Sequence, residues 1–177
     1  RIDHAHHAGN AARALEETAA FDAAVRTALA STSEADTLII VTADHSHVLS
    51  MSGYPSRNNP ILGKVDTDKG TDAKPYTTLS YANGPGATTD GKPRDDLPDD
   101  DTTATDFKQQ SLVPLKAETH GGEDVPIYAS GPWAHLFHGT VDQQYIFHVM
   151  NYATQLSQRA GKATPAPVAK KPRRKHR

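Results

Sequence analysis

Thr37-Leu-Ile-Ile-Val-Thr42-Ala-Asp-His-Ser-His47 is a short apolar, β-branched run that ends directly in aspartate and histidine. Unbroken hydrophobicity between polar residues is the pattern of a parallel strand buried on both faces. Asp44 and His45 lie just past its C-terminal end, where open α/β sheets place their ligands. Upstream, Gly9-Asn10 offers a cap and residues 11–30 read as a helix, with Ala14, Thr18, Phe21, Val25 and Ala28 on one face. Downstream, Val125-Pro-Ile-Tyr-Ala-Ser130 reads as a strand that Pro126 pushes towards an edge or a strand start. Thr140-Val-Asp-Gln143 has the form of a capping box, and Ile146, Val149, Met150, Ala153 and Leu156 then mark the buried face of a last helix. Strands alternating with helices give an α/β class.

Between these elements, over residues 54–115, the texture changes to Pro, Gly, Asn, Thr and Asp with weak periodicity. Only Pro75 to Tyr81 reads as a strand there. The seven aspartates from Asp90 to Asp106 lack the alternating ligands, central glycine and terminal glutamate of a calcium loop, so they read as a solvated surface. The division expected is therefore 1–53 with 116–161 as one domain, 54–115 as a loop-rich insertion, and 162–177 as a basic tail.

Charge is distributed unevenly. Seven of the 19 Lys and Arg lie in residues 162–177 with none of the 21 acids, so residues 1–161 carry 12 basic and 21 acidic groups, a net of −9. The Pro/Ala spacing of the tail gives no apolar surface for a core, and no aromatic residues interleave its charges as single-strand binders prefer, so it reads as a disordered, dispensable extension without a specific nucleic-acid role. The 177 residues, 36% hydrophobic and 23% charged, suit one domain with a core. No stretch approaches the roughly 20 apolar residues of a membrane span, and no apolar signal core follows Arg1. With no cysteine, any metal must be held by histidine and carboxylate.

Two further strings carry the same residue types as the strand end: Arg1-Ile-Asp-His-Ala-His-His7 and Glu118-Thr-His-Gly-Gly-Glu-Asp124. Asp3 and His7, four apart, share one helical face or a tight turn, and Asp44 and His45 point in different directions, as residues of two neighbouring coordination spheres would. His120 sits in a glycine-rich turn that lets backbone approach an ion. Any one fragment alone is a common structural pairing. Together Asp3, His7, Asp44, His45 and His120 meet the demand of a zinc-type hydrolytic site, which keeps some coordination positions open for water and substrate. His4 and His47 are candidates for groups that orient ligands or meet phosphate through water. His6, His135, His138 and His148 read as structural, Glu123 and Asp124 as groups that hold the second ring nitrogen of His120, and Ser46 as a group that orients a ligand or pairs with backbone.

These strings, with Tyr81-Ala-Asn-Gly-Pro-Gly86, resemble in order and spacing those of alkaline phosphatases over most of residues 1–157. The resemblance implies a partial three-layer α/β/α sandwich with a crown-like insertion over 54–115, near a homodimer interface. It implies two zinc ions, one held by Asp3, His7 and His120 and the other by Asp44 and His45, and one magnesium ion whose ligands precede Arg1. It further implies hydrolysis of phosphate monoesters through a phosphoserine, in a periplasmic or secreted enzyme. The nucleophilic serine, the bridging aspartate and the phosphate-binding arginine of the family all precede the string at Arg1, so the chain resembles the C-terminal half and is expected to be inactive alone. Two rival readings stand beside this one: another two-metal phosphohydrolase, such as a phosphodiesterase or phosphomutase, and a non-catalytic metal-binding fragment.

Overall fold

The computed structural model of the chain describes residues 1–89, 92–94, 96–97 and 102–162. In chain order it contains α1 (Ile2–His7), α2 (Ala11–Ser31), β1 (Ile39–Val41), β2 (Ser46–His47), β3 (Leu49–Met51), β4 (Leu79–Gly84), β5 (Ser111–Pro114), β6 (His120–Gly121), β7 (Tyr128–Ser130), a 3-10 turn at Ala134–Leu136, α3 (Tyr145–Thr154) and α4 (Leu156–Lys162). The architecture is mixed α/β, with sheets of two or three strands. Two compact units divide the chain, one of Arg1–Ser33 with Ile40–Tyr128, the other of Glu34–Ile39 with the residues from Ala129 on. Beyond Lys162 the basic tail lies outside the described residues, as do several aspartates of the acidic run.

In the first unit, α1 ends in a glycine cap. Gly9 takes φ +72°, its N–H bonds the carbonyl of His6 at 2.8 Å, and the N–H of Asn10 reaches back to Ala5 at 2.9 Å. This closing turn needs a left-handed residue, which glycine supplies without a Cβ penalty. It starts α2 almost at once. Asn10 is the residue before α2, but its side chain makes no cap bond; its amide donates instead to the carbonyl of Phe107 at 2.9 Å.

The remainder of the first unit is a three-stranded sheet and a two-residue ribbon. β3 runs antiparallel to β4, with Leu49 opposite Tyr81, and β4 runs parallel to β5, with Tyr81 opposite Ser111. β2 pairs with β6 in antiparallel register, His47 opposite His120. The strand read at 75–81 begins later, at Leu79, because the backbone before it pairs elsewhere: Val65 donates to Tyr76 at 2.9 Å and Thr78 donates to Gly63 at 3.1 Å. The core of this unit is small and contains Ala5, Ala11, Ala12, Ala14, Val65, Leu79 and Tyr81.

Two expectations about burial are corrected. Only the first turn of α2 is buried, and Phe21, on the expected core face, is 45% exposed. β1 is half-exposed along its length rather than buried on both faces. Apolar patterning records which face a helix or strand can bury, but burial requires a packing partner, and among the described residues the later turns of α2 and the strand β1 are not covered by one.

In the second unit, the residues read as a capping box do not cap α3. Gln144 precedes the helix without a side-chain cap bond, and the carbonyls of Asp142 and Gln143 accept the N–H groups of Tyr145 and Ile146. Val149 is buried, whereas Met150 and Leu156 of the expected face are 42% and 52% exposed. Gln155, at φ 53°, breaks the helix and separates α3 from α4.

One close approach ties the loop region to α1. A Cβ on Gly86 would lie 1.9 Å from the carbonyl oxygen of Gln109, whose own N–H bonds the carbonyl of Gly9 at 2.9 Å. Gly86→Ala is expected to destabilise the chain by about 1–3 kcal/mol, since backbone must move to admit the methyl group. Gly122→Ala, where nothing lies within 4 Å of the new carbon, is the control. Equal denaturant midpoints for the two variants would refute the close approach.

Candidate metal centre

Helix α1 and the β2/β6 ribbon assemble a cluster around one carboxylate oxygen. Asp3 and His7 lie one turn apart on α1, and Asp3 Oδ1 stands 3.3 Å from Nε2 of His7, 3.2 Å from Nε2 of His47, 3.5 Å from Nε2 of His120 and 3.8 Å from Nε2 of His45. The two ε nitrogens of His7 and His120 are 3.2 Å apart, and the rings of His45 and His120 stack at 3.5 Å. Among the described residues, three groups have donor atoms close enough to share an ion: Asp3, His7 and His120; Asp3, His45 and His47; and His7, His47 and Glu118.

The second nitrogen of each ring decides what the first can do. Nδ1 of His7 faces the carbonyl oxygen of Glu118 at 2.6 Å, and Nδ1 of His45 faces the carbonyl of Ser46 at 3.1 Å. A carbonyl only accepts, so Nδ1 carries the hydrogen in both rings, which leaves Nε2, the nitrogen that faces Asp3, as the position able to coordinate a cation. Ring nitrogens and a carboxylate oxygen that converge in this way make a favourable donor set for a cation among them. The donor set, imidazole nitrogen and carboxylate oxygen, fits zinc.

Partial desolvation acts upward on the Asp3 carboxyl, but the histidines His7, His47, His120 and His4 together outweigh it and hold that carboxyl below its usual range. His4 is itself exposed on α1. Asp44 lies at the rim, 81% exposed, with Oδ2 3.5 Å from Nε2 of His45. It belongs to none of the three groups that converge in this structure.

His47 comes as close to Asp3 as the expected ligands do, between two carboxylates, because its Nδ1 lies 2.8 Å from Oε2 of Glu118. Glu118 is the residue that sequence reading missed. It was visible as the acid two positions before His120, the spacing that puts residues on one side of an extended chain. Its side chain is fully buried, and Oε1 accepts the N–H of Val48 at 2.8 Å. Glu123 does not hold His120: its carboxylate accepts the hydroxyl of Ser46, a bond that keeps its carboxyl below the usual range. The Ser46 hydroxyl is thereby tied to a carboxylate, while the Ser46 carbonyl is the group that faces Nδ1 of His45.

His6 points away from the ligand face. It is buried, stacked on His47 at 4.6 Å and hydrogen-bonded through Nδ1 to the Tyr81 hydroxyl at 2.8 Å. Burial first, and then the neighbouring His47, lower its pKa to about 4 from the ordinary 6.5. The folded chain therefore keeps this ring neutral where the unfolded chain protonates it, so its contribution to stability is intact above 6.5 and is lost as pH falls from 6.5 towards 4. Urea midpoints of the metal-free chain at pH 7.5, 6 and 5 are expected to fall more steeply for the wild type than for His6→Gln. Parallel profiles would show that His6 does not set the slope. His135, His138 and His148 belong to the second unit, are exposed, and take no part in the cluster; His135 and His148 line a cavity of about 340 Å³ with Trp133, Tyr145 and Tyr152.

The family model described as alkaline phosphatase matches residues 1–156. The chain is similar to the tissue-nonspecific isozyme of alkaline phosphatase from Homo sapiens, 46% identical over 169 residues that cover 96% of this chain and 32% of the relative. The same isozyme from Felis catus is 50% identical over 153 residues, 86% of this chain and 29% of that protein, and that from Mus musculus is 49% identical over 154 residues, 87% and 29%. The chain thus spans about a third of the length of these relatives.

Proposed function

The chain belongs to the alkaline phosphatase family, and from that membership we propose that it supplies the zinc-binding part of an enzyme that hydrolyses phosphate monoesters through a phosphoserine. The observation that supports this most is the convergence of Nε2 atoms from His7, His45 and His120 on Asp3 Oδ1 within 3.8 Å. Asp3, His7 and His120 would hold one zinc ion, and Asp44 and His45 would complete a second site with an aspartate from upstream sequence. Zinc bound there supplies charge stabilisation for the transferring phosphoryl group and a lowered pKa for water. The chain's own task is to hold the ligand rings aimed. Carbonyls of Glu118 and Ser46 do this for His7 and His45, and Nε2 of His47 stands 3.2 Å from the Asp3 carboxylate beside them.

The serine nucleophile, the arginine that clamps phosphate and the magnesium ligands belong to sequence that precedes Arg1 in the family. On the same reading the mixed α/β units are parts of a three-layer sandwich, residues 54–115 form the crown-like insertion, and the intact enzyme is a secreted or periplasmic homodimer. No helix among the described residues is long and apolar enough to cross a membrane. The direct test uses the enzyme that contains this chain, assayed on a chromogenic phosphate monoester and on the matching diester. Monoester turnover that His120→Ala removes supports the proposal. Preferential diester hydrolysis would favour a phosphodiesterase with the same metal core, and no hydrolysis with zinc bound would favour a non-catalytic metal-binding module.

A further inference from the structure

We infer that Glu118 is a positioning residue that keeps a hydrogen on Nδ1 of both His7 and His47, by two different parts of itself, and so aims Nε2 of both rings at the ion; this rests on the metal-centre reading above. Its main chain serves His7, with the carbonyl 2.6 Å from Nδ1 and the N–H donating to the His7 carbonyl at 3.0 Å. Its side chain serves His47, with Oε2 2.8 Å from Nδ1. The second carboxylate oxygen is occupied by the N–H of Val48 at 2.8 Å. That last bond makes the arrangement directional, because a backbone N–H only donates and the oxygen facing it cannot be replaced by a donor.

Glu118→Gln then has a forced outcome. The amide oxygen must face Val48, so the amide NH₂ faces Nδ1 of His47, which must give up its hydrogen and become the acceptor. The hydrogen of that ring moves to Nε2, towards Asp3 Oδ1 at 3.2 Å. His7 keeps its state, since its partner is main chain. The substitution is isosteric, and both hydrogen bonds of the side chain, to Val48 and to His47, keep a donor facing an acceptor.

The experiment is two-bond ¹H–¹⁵N correlation on the histidine-labelled 177-residue chain without metal, followed by zinc titration against a chromophoric chelator, for wild type, Glu118→Gln and Glu118→Asp. We expect protonated Nδ1 on both rings in the wild type, an exchanged tautomer at His47 alone in Glu118→Gln, and zinc affinity lowered about 10- to 100-fold in that variant. Glu118→Asp retains the acceptor chemistry and should keep the wild-type ring states. An unprotonated Nδ1 on His47 in the wild type overturns the inference without reference to any variant. So does a His47 signal unmoved by Glu118→Gln, or a moved signal with unchanged zinc affinity. A wild-type chain that binds no zinc would overturn the metal-centre reading instead, while the ring states, read without metal, still decide what Glu118 does.

Discussion

Asp3→Ala is expected to lower the zinc affinity of the chain by at least about 100-fold. Total binding free energies of zinc sites are on the order of 10 kcal/mol, so one of three protein ligands accounts for roughly 3 kcal/mol, and each 1.4 kcal/mol is a factor of ten. Asp3 should exceed that share. Its Oδ1 is the atom on which the four imidazoles converge, at 3.2 to 3.8 Å, and it carries the negative charge at the centre of the cluster. Asp3→Asn separates the two contributions, because it keeps the shape and one oxygen but removes the charge. Asp44→Ala, at the exposed rim, should weaken a second equivalent of zinc and leave the first in place. Competition with a chromophoric chelator reads all three. An Asp3→Ala chain that binds zinc as the wild type does would remove Asp3 from the metal centre.

The four-residue spacing of Asp3 and His7 was legible because α1 converts it into one turn of helix, and the apolar run before Asp44 was legible as β1. The meeting of these two segments with His120 was not. It depends on the β2/β6 ribbon, which pairs His47 with His120 across more than 70 positions. Two-residue strands carry no periodicity, so only the shared chemistry of the three strings pointed to their convergence. Glu118 escaped because half of its work is done by its carbonyl, and main-chain acceptors have no signature in a side-chain string. The burial of α2 was overread for a different reason: an amphipathic pattern states what a face is fit for, and Phe21 or Leu29 on the surface shows that the pattern does not by itself supply the partner layer.

The chain alone, loaded with zinc and magnesium, is expected to hydrolyse a chromogenic phosphate monoester at a rate at least about 10⁴-fold below that of the same chain joined or mixed with the upstream part of its family. Positioning of nucleophile and substrate accounts for roughly 7–11 kcal/mol of a barrier in favourable cases, and on the proposed reading the activated serine and the phosphate clamp both lie in the upstream part. Ser46, beside the cluster, gives its hydroxyl to Glu123, whose carboxyl is held below its usual range and is therefore a weak base. Ser50 and Ser130 lie within β3 and β7. The ligand face is nevertheless assembled, so what should appear on mixing is the covalent step, not the metal site. Turnover that appears only with the upstream part, and that Asp3→Ala abolishes, supports this division of labour. Robust turnover by the purified chain that Asp3→Ala also abolishes would overturn it and place a nucleophile within these 177 residues. Turnover that Asp3→Ala leaves untouched would show that hydrolysis by the purified sample does not run through this centre.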